Sequence, residues 1–228
     1  MMSEQVENYL KGIYELEDQS GKVSTSELSE RLGVSSASVT EMIQRLAGES
    51  MVDYTPYKGV ALTDEGRREA LRIIRKHRLW ELFLVEVLKF NWDEIHDEAE
   101  RLEHIMSRRL EERIDALLGH PRFDPHGHVI PSPDGRITTE RHPSLASVPA
   151  GSVVTVARVN DSNPEVLQYL SKMGIGLATT IDVRERISFD GSLRVRVGGS
   201  DMFISEKLAQ HVSVLMSTPY SDGGPNDD

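Results

Sequence analysis

Residues 23–46 read VSTSELSERLGVSSASVTEMIQRL, and this stretch decides the fold. Ser24-Thr25-Ser26-Glu27 has the spacing of a capping box, in which a hydroxyl and a carboxylate three residues apart satisfy each other's backbone N–H groups. The box opens a short helix carrying Leu28 and Leu32. Gly33 stops that helix, and Ser35 or Ser36 caps the next, which buries Val39, Met42 or Ile43, and Leu46. A short helix, a Gly-containing turn and a helix that begins with small hydroxyl residues form the helix-turn-helix pattern. The start of the second helix suits DNA, because free N–H groups at a helix start attract phosphates. Ser35, Ser36, Ser38 and Thr40, with Ala37 among them, are the candidate backbone contacts, and Gln44 and Arg45 are longer donors further along. Glu41 either accepts from a cytosine amino group or is solvated. Helix pairs joined by glycine also occur in all-α proteins that never meet DNA, so the flanking segments must arbitrate.

Upstream, residues 4–18 form an amphipathic helix with Val6, Tyr9, Leu10, Ile13 and Leu16 on the buried face and Asn8 and Lys11 outside it. Downstream, Val52 and Tyr54, then Pro56-Tyr57-Lys58-Gly59, then Val60 and Leu62 read as two short strands around a turn. A hairpin directly after a recognition helix is a wing, with Lys58 at its tip facing a phosphate or the minor groove; a plain structural hairpin is the alternative. The formal net charge of the 228-residue chain is -11, and the basic residues up to Asp64 are only Lys11, Lys22, Arg31, Arg45 and Lys58. So acidic a DNA-binding half should bind poorly unaided, so its affinity is expected to depend on dimerisation and on bound cations.

Thr63 caps a helix expected to run to about Lys89, with a basic patch of Arg67, Arg68, Arg72, Arg75, Lys76 and Arg78. Its later apolar residues, from Leu79 to Leu88, nearly encircle it, as in a helix buried on more than one side. The next helix on one side and a partner subunit on the other would account for that.

The next stretch, 91–109, reads NWDEIHDEAERLEHIMSRR. Asn91 with Glu94 reads as the start of a helix that continues to 118, with Ile95, Ala99, Leu102 and Met106 as its apolar stripe. His96, Glu100, Glu103 and His104 lie beside that stripe within an arc of about 100°. His77 and Glu81 make a second i, i+4 pair on the helix before. Carboxylates crowded against a core need something positive beside them. A divalent metal or a solvated acidic face both answer, and the histidines favour the metal. The chain has no cysteine, so thiolate sites and disulfides are excluded, and oxygen with imidazole suits Mn²⁺ or Fe²⁺, and zinc less specifically.

Residues 119–149 carry repeated proline and glycine and read as a linker or extended crossover. His120, His126, His128 and His142 in it are read as loop histidines, with metal ligation as the alternative. From Ser152 the chain turns β-rich: VVTVARV, TIDVRERI and LRVRV are strands, Asp190-Gly191 marks a hairpin, and a short helix spans Pro164 to Lys172. Short strands with one small helix suit a small SH3-like barrel. The fold class expected is mainly α with a small β domain. The division is 1–64 winged helix-turn-helix, 65–145 helical dimerisation and metal-binding domain with its Pro-rich linker, 146–217 barrel and 218–228 disordered tail.

The first ten residues lack the regions of a signal peptide, and a cytoplasmic protein without a membrane partner is the expectation. An enzyme is not expected. No Ser-His-Asp set, P-loop or Gly-rich nucleotide loop appears, and the E-x-x-H pair of di-iron bundles fails because residue 101 is arginine. A carboxylate-ligated metalloenzyme and a metal buffer remain as rivals.

On these residues the chain resembles the DtxR/MntR family of metal-dependent transcriptional repressors. The carrying segments are YLKGIYELE (9–17), residues 23–46, ALTDEGR (61–67), RKHRLWELFL (75–84), WDEIHDEAERLEHIMSRRLEERI (92–114) and DPHGHVIP (124–131), with a FeoA-like, SH3-like barrel at the end. The resemblance implies a homodimer that binds palindromic operator double-stranded DNA and represses metal-uptake genes when metal joins the N-terminal helix to the dimerisation helices. It implies a primary site of Glu100, Glu103 and His104, with Asn8 where relatives place Met or Asp. It implies a second site of His77, Glu81 and His96, with Glu165 and Asp161 from the loop before the barrel's helix. Glu100 stands where the iron-responsive branch has Cys, which points to Mn²⁺ as the cofactor, with Fe²⁺ the alternative. Lys11 replaces a carboxylate of the short manganese regulators, whose closely spaced two-metal arrangement is therefore not expected.

Overall fold

The protein, a computed structural model, is described over residues 2–20, 22–55, 59–138 and 140–216. It forms two compact units: Met1–Phe90 with Ile95–Asp124 and Val129–Thr139, and Asn91–Glu94 with Pro125–His128 and Glu140–Asp228.

The first unit begins with α1 (Glu4–Ser20), whose Val6, Tyr9, Leu10 and Ile13 are buried. α2 (Thr25–Leu32) opens on the expected capping box at Ser24 and Glu27 and ends at Gly33, whose φ of 65° is the left-handed value that a side chain resists. α3 (Ser36–Gly48) is capped by Ser35, whose hydroxyl accepts from the Ser38 N–H. β1 (Val52–Thr55) and β2 (Gly59–Leu62) pair antiparallel from Val52 opposite Leu62 to Thr55 opposite Gly59. Val23 bridges to Val60 on the outer side of β2, and a Cβ on Gly59 would meet the Val23 carbonyl at 2.8 Å. The wing tip, with Lys58, lies outside the described residues. Val6, Leu10, Leu28, Ile43, Leu46 and Val60 share one core, so α1 is built into the helix-turn-helix domain. Glu17 at the far end of α1 accepts from the Leu62 N–H at 2.7 Å and from Arg67 at 2.5 Å.

α4 (Asp64–Glu86) starts on the expected Thr63 cap. Its basic patch is not a free surface. Arg75 is buried and bonds Glu111 at 2.8 Å and the Pro131 carbonyl at 2.8 Å, Arg68 pairs with Glu65, and Arg72 pairs with Glu69.

The expected single helix 91–118 is two helices. α5 (His96–Glu103) begins after Ile95, and α6 (Arg108–Leu117) begins after Ser107, which takes an extended conformation and accepts from the Leu110 N–H. Asn91 does not cap α5; its amide is spent on Glu94 at 3.0 Å. The break falls directly after His104, the C-cap of α5. Leu79 of α4 packs with Met106, Ile114 and Ile130, and the Trp80 indole donates to the Leu102 carbonyl at 3.1 Å. Leu88, Ile105 and Leu117 of this unit are 53%, 75% and 65% exposed in the single chain. Large apolar side chains at that exposure are what a partner subunit can cover.

The second unit is an antiparallel sheet in the order β6-β5-β4-β3-β7, of β3 (Val153–Val159), β4 (Thr180–Arg186), β5 (Leu193–Val197), β6 (Ser200–Ile204) and β7 (Val212–Met216). A bulge between Val156 and Arg158 turns Val159 back to the core after Val154 and Val156. α7 (Pro164–Lys172), capped by Asn163, buries Leu167 and Leu170 against the sheet, and α8 (Glu206–Gln210) sits between β6 and β7. The tail expected to be disordered lies outside the described residues. Among the described residues, no helix is long and apolar enough to cross a membrane.

Candidate metal centre

Three helices of the first unit deliver the site. α4 points His77 and Glu81 inward one turn apart, α5 presents His96, Glu100, Glu103 and His104, and α1 adds Glu7 and Lys11 from the opposite side. Glu81 and Glu103 are fully buried. Each carboxylate is buried because it lies at helical spacing beside an apolar stripe, so the packing that buries Ile95 and Ala99 also buries Glu103.

At the centre sits the Lys11 ammonium. Its Nζ donates to Glu100 Oε1 at 2.5 Å and to Glu103 Oε2 at 3.0 Å, and lies 3.2 Å from His77 Nδ1. His77 Nδ1 is 2.5 Å from Glu103 Oε2, and its Nε2 is 3.1 Å from Glu81 Oε1. His104 Nδ1 is 2.6 Å from Glu7 Oε2, while its Nε2 faces Glu103 Oε1 at 3.7 Å. His96 Nδ1 is buried without a hydrogen bond, 3.7 Å from Glu81 Oε1, and its Nε2 is 3.8 Å from Glu100 Oε1.

The charges answer one another. Burial works to lower the Lys11 pKa, but Glu103 and Glu100 outweigh it and hold the ammonium above the ordinary lysine value. Burial works to raise Glu100, and Lys11 more than reverses it. Burial and Lys11 oppose charge on His77, yet Glu81 and Glu103 push it up to about 10. The cluster therefore carries its own positive charge, and it remains rich in carboxylate.

Wholly within the first unit, two groups have ligand atoms all within 4.8 Å of one another: His77 with His96 and Glu100, and Glu100 with Glu103 and His104. Such convergence of oxygen and imidazole nitrogen, with an unbonded imidazole nitrogen at its edge, fits a divalent cation.

The comparisons with known proteins agree along the chain. Residues 1–60 match the iron-dependent repressor N-terminal DNA-binding domain, residues 63–132 the iron-dependent repressor metal-binding and dimerisation domain, and residues 144–216 the FeoA domain. The iron-dependent repressor IdeR of Mycobacterium leprae is 34% identical over 157 residues, 66% of this chain and 68% of its own length. The chain belongs to the iron-dependent repressor family. The diphtheria toxin repressor of Corynebacterium glutamicum is 29% identical over 219 residues, covering 91% of this chain and 94% of that one. A solved manganese-dependent transcriptional repressor in complex with manganese superposes with a TM-score of 0.87 at 42% identity, covering 93% of this chain and all of that one. The repressor is thus a metal-dependent DNA-binding regulator with a dimerisation domain.

The repressor brings together five of the expected ligands of α4 and α5 (His77, His96, Glu100, Glu103 and His104) in the two groups, with Glu81 beside them. From α1 the group bonded to His104 is the Glu7 carboxylate, one residue before Asn8. Lys11, read as outside the buried stripe, is 5% exposed. In the second unit, Asp161 lies 3.6 Å from His126 Nδ1 and 3.8 Å from His128 Nδ1, while Glu165 is exposed on the first turn of α7 and joins no such group among the described residues. His126 is fully buried, stacked on Trp92, with its Nε2 2.8 Å from the Trp92 carbonyl. Sequence reasoning took His126 and His128 as loop histidines. The alternating D-P-H-G-H run at 124–128 was the available signal for a ligand strand. On the DNA side, Ser35, Ser36, Ala37 and Ser38 are exposed on the first turn of α3, Thr40 bonds back to the Ser36 carbonyl, and Gln44 and Arg45 are exposed further along the helix.

Proposed function

We propose that the repressor answers manganese, holding it between α1, α4 and α5 with Glu100, Glu103 and His104 as the principal ligands. His77, Glu81 and His96 form a second ligand group. The observation that carries this reading is the donor set: carboxylate and imidazole only, in a chain without cysteine. Hard oxygen donors favour Mn²⁺ over softer ions. The manganese complex of the structural relative supports it.

When bound, a divalent cation adds to the positive charge that Lys11 gives the four glutamates Glu7, Glu81, Glu100 and Glu103. Glu100, Glu103 and His104 bind it, and Lys11 and Glu7 keep α1 against them. α1 shares its core with α2 and α3, so the position of α1 sets the position of the α3 first turn. In a dimer, two such first turns must sit one DNA turn apart on a palindromic operator. A cation that binds the DNA-competent arrangement more tightly than the other shifts the population toward it by that difference. Ser35, Ser36, Ala37, Ser38, Thr40, Gln44 and Arg45, with Lys58 of the wing, then meet the operator, upstream of metal-uptake genes.

Iron is the second reading, favoured by the IdeR relatives. Fluorescence anisotropy on operator DNA at fixed salt, with Mn²⁺, anaerobic Fe²⁺, Mg²⁺ or chelator, separates them. Tight binding with Mn²⁺ at concentrations where Fe²⁺ does little supports manganese. Equal potency of Fe²⁺ moves the assignment to iron.

A further inference from the structure

We infer that Glu7 is the positioning residue through which α1 senses the metal, acting on His104 from behind. The inference rests on His104 being a ligand. The two ring nitrogens of His104 face different partners: Nδ1 meets Glu7 Oε2 at 2.6 Å, and Nε2 faces the Glu103 side at 3.7 Å. An imidazole that binds metal through one nitrogen donates the N–H of the other to a carboxylate or carbonyl, which fixes the tautomer and the ring plane and raises its basicity. Here Nδ1–H donates to Glu7, and the Nε2 lone pair is left pointing into the carboxylate cluster. Both side chains are nearly sealed from water, 9% exposed for Glu7 and 8% for His104, so water does not replace this bond.

Glu7 is not itself a ligand in this geometry. Among the described residues it joins none of the groups whose donor atoms lie within 4.8 Å of one another, although His104 does. Lys11 lies one turn further along α1 and meets Glu100 and Glu103. The two α1 side chains therefore divide the task. Lys11 holds the carboxylates, and Glu7 holds the imidazole. Because the Glu7 bond strengthens as His104 gives its other nitrogen to a cation, metal binding tightens α1 onto α5.

The test is Mn²⁺ binding by isothermal titration on the full-length dimer, for wild type, Glu7→Ala, Glu7→Gln and His104→Ala. Circular dichroism confirms that each is folded. The inference predicts Mn²⁺ affinity about 10–100-fold weaker in Glu7→Ala. Glu7→Gln, which still offers a carbonyl to Nδ1–H, should fall between that and wild type. Operator binding should follow in the same order. Wild-type affinity in Glu7→Ala together with weakened binding in His104→Ala would overturn the inference and leave the site standing. Wild-type affinity in His104→Ala would instead overturn the ligand assignment on which the inference rests.

Discussion

Lys11 and Glu7 show how one residue position changes what a buried charge does. Lys11 stands between Glu100 and fully buried Glu103, where an uncompensated carboxylate is costly. Removing one partner of such a buried pair costs about 3–5 kcal/mol, because the other charge is left stranded. Lys11→Leu should therefore lower the urea midpoint of the chelated protein by that order. Mn²⁺ should return more stability to the variant than to wild type, since the cation then answers carboxylates that Lys11 no longer does. Equal stability of variant and wild type in chelator would mean that the ammonium contributes nothing to the metal-free fold. Glu7 was not legible as part of the site, and Lys11 only through the family resemblance, which sets it where the short manganese regulators carry a carboxylate. Periodicity places Lys11 next to Leu10 and Glu7 next to Val6, at the margin of the apolar stripe, where a long side chain can turn either way. Only the approach of α5 from that side decides it. The proposed ligands from His96 to His104 were legible because their spacing along one stretch aligned them.

At the scale of the element, the caps carried most of what could be read. Ser24 with Glu27, Ser35, Thr63 and Asn163 each begin a helix where their hydroxyl or amide announces it. Asn91 misled for the opposite reason: its side chain and Glu94 make the local bonds of a helix start, yet Asn91–Glu94 falls in the second unit and α5 begins only after Ile95. The break after His104 was hidden because Met106 continues the apolar period of α5 while Ser107 starts a new helix. Helical spacing does not distinguish one helix from two in register. Ser107→Ala removes the acceptor of the Leu110 N–H, and should cost about 1 kcal/mol by thermal or urea unfolding. It should also weaken the Mn²⁺ response, since it frees the segment that ends α5 at His104. A variant with unchanged stability would show that the break is set by packing of Met106 and Ile114 rather than by the cap. The fate of the D-P-H-G-H run is the complementary case. His126 is buried because Trp92 stacks on it, a contact across 34 residues that no local pattern contains.

For the whole molecule, acidity and DNA binding are reconciled by where the charge sits. Arg75 of α4 is buried on Glu111 and Asp115, and Arg68 and Arg72 are paired with Glu65 and Glu69, which weakens the basic field that α4 offers to phosphate. The exposed face of α3 carries hydroxyls, Gln44 and few cations. Affinity for operator must then come from two copies acting together and from the order imposed on α1, not from a basic field. The exposed Leu88, Ile105 and Leu117 all lie within the stretch that matches the family's metal-binding and dimerisation domain. The most direct test of this account is operator binding by fluorescence anisotropy at fixed salt, titrated with Mn²⁺, for wild type, Glu103→Gln and His104→Ala, each first shown to be dimeric by analytical ultracentrifugation. Wild type is expected to bind tightly only with Mn²⁺, and both variants to remain dimeric and lose the Mn²⁺ dependence. Dimeric variants that still bind operator in a wild-type, Mn²⁺-dependent manner would contradict it, because the metal would then be acting somewhere other than the junction of α1 with α5.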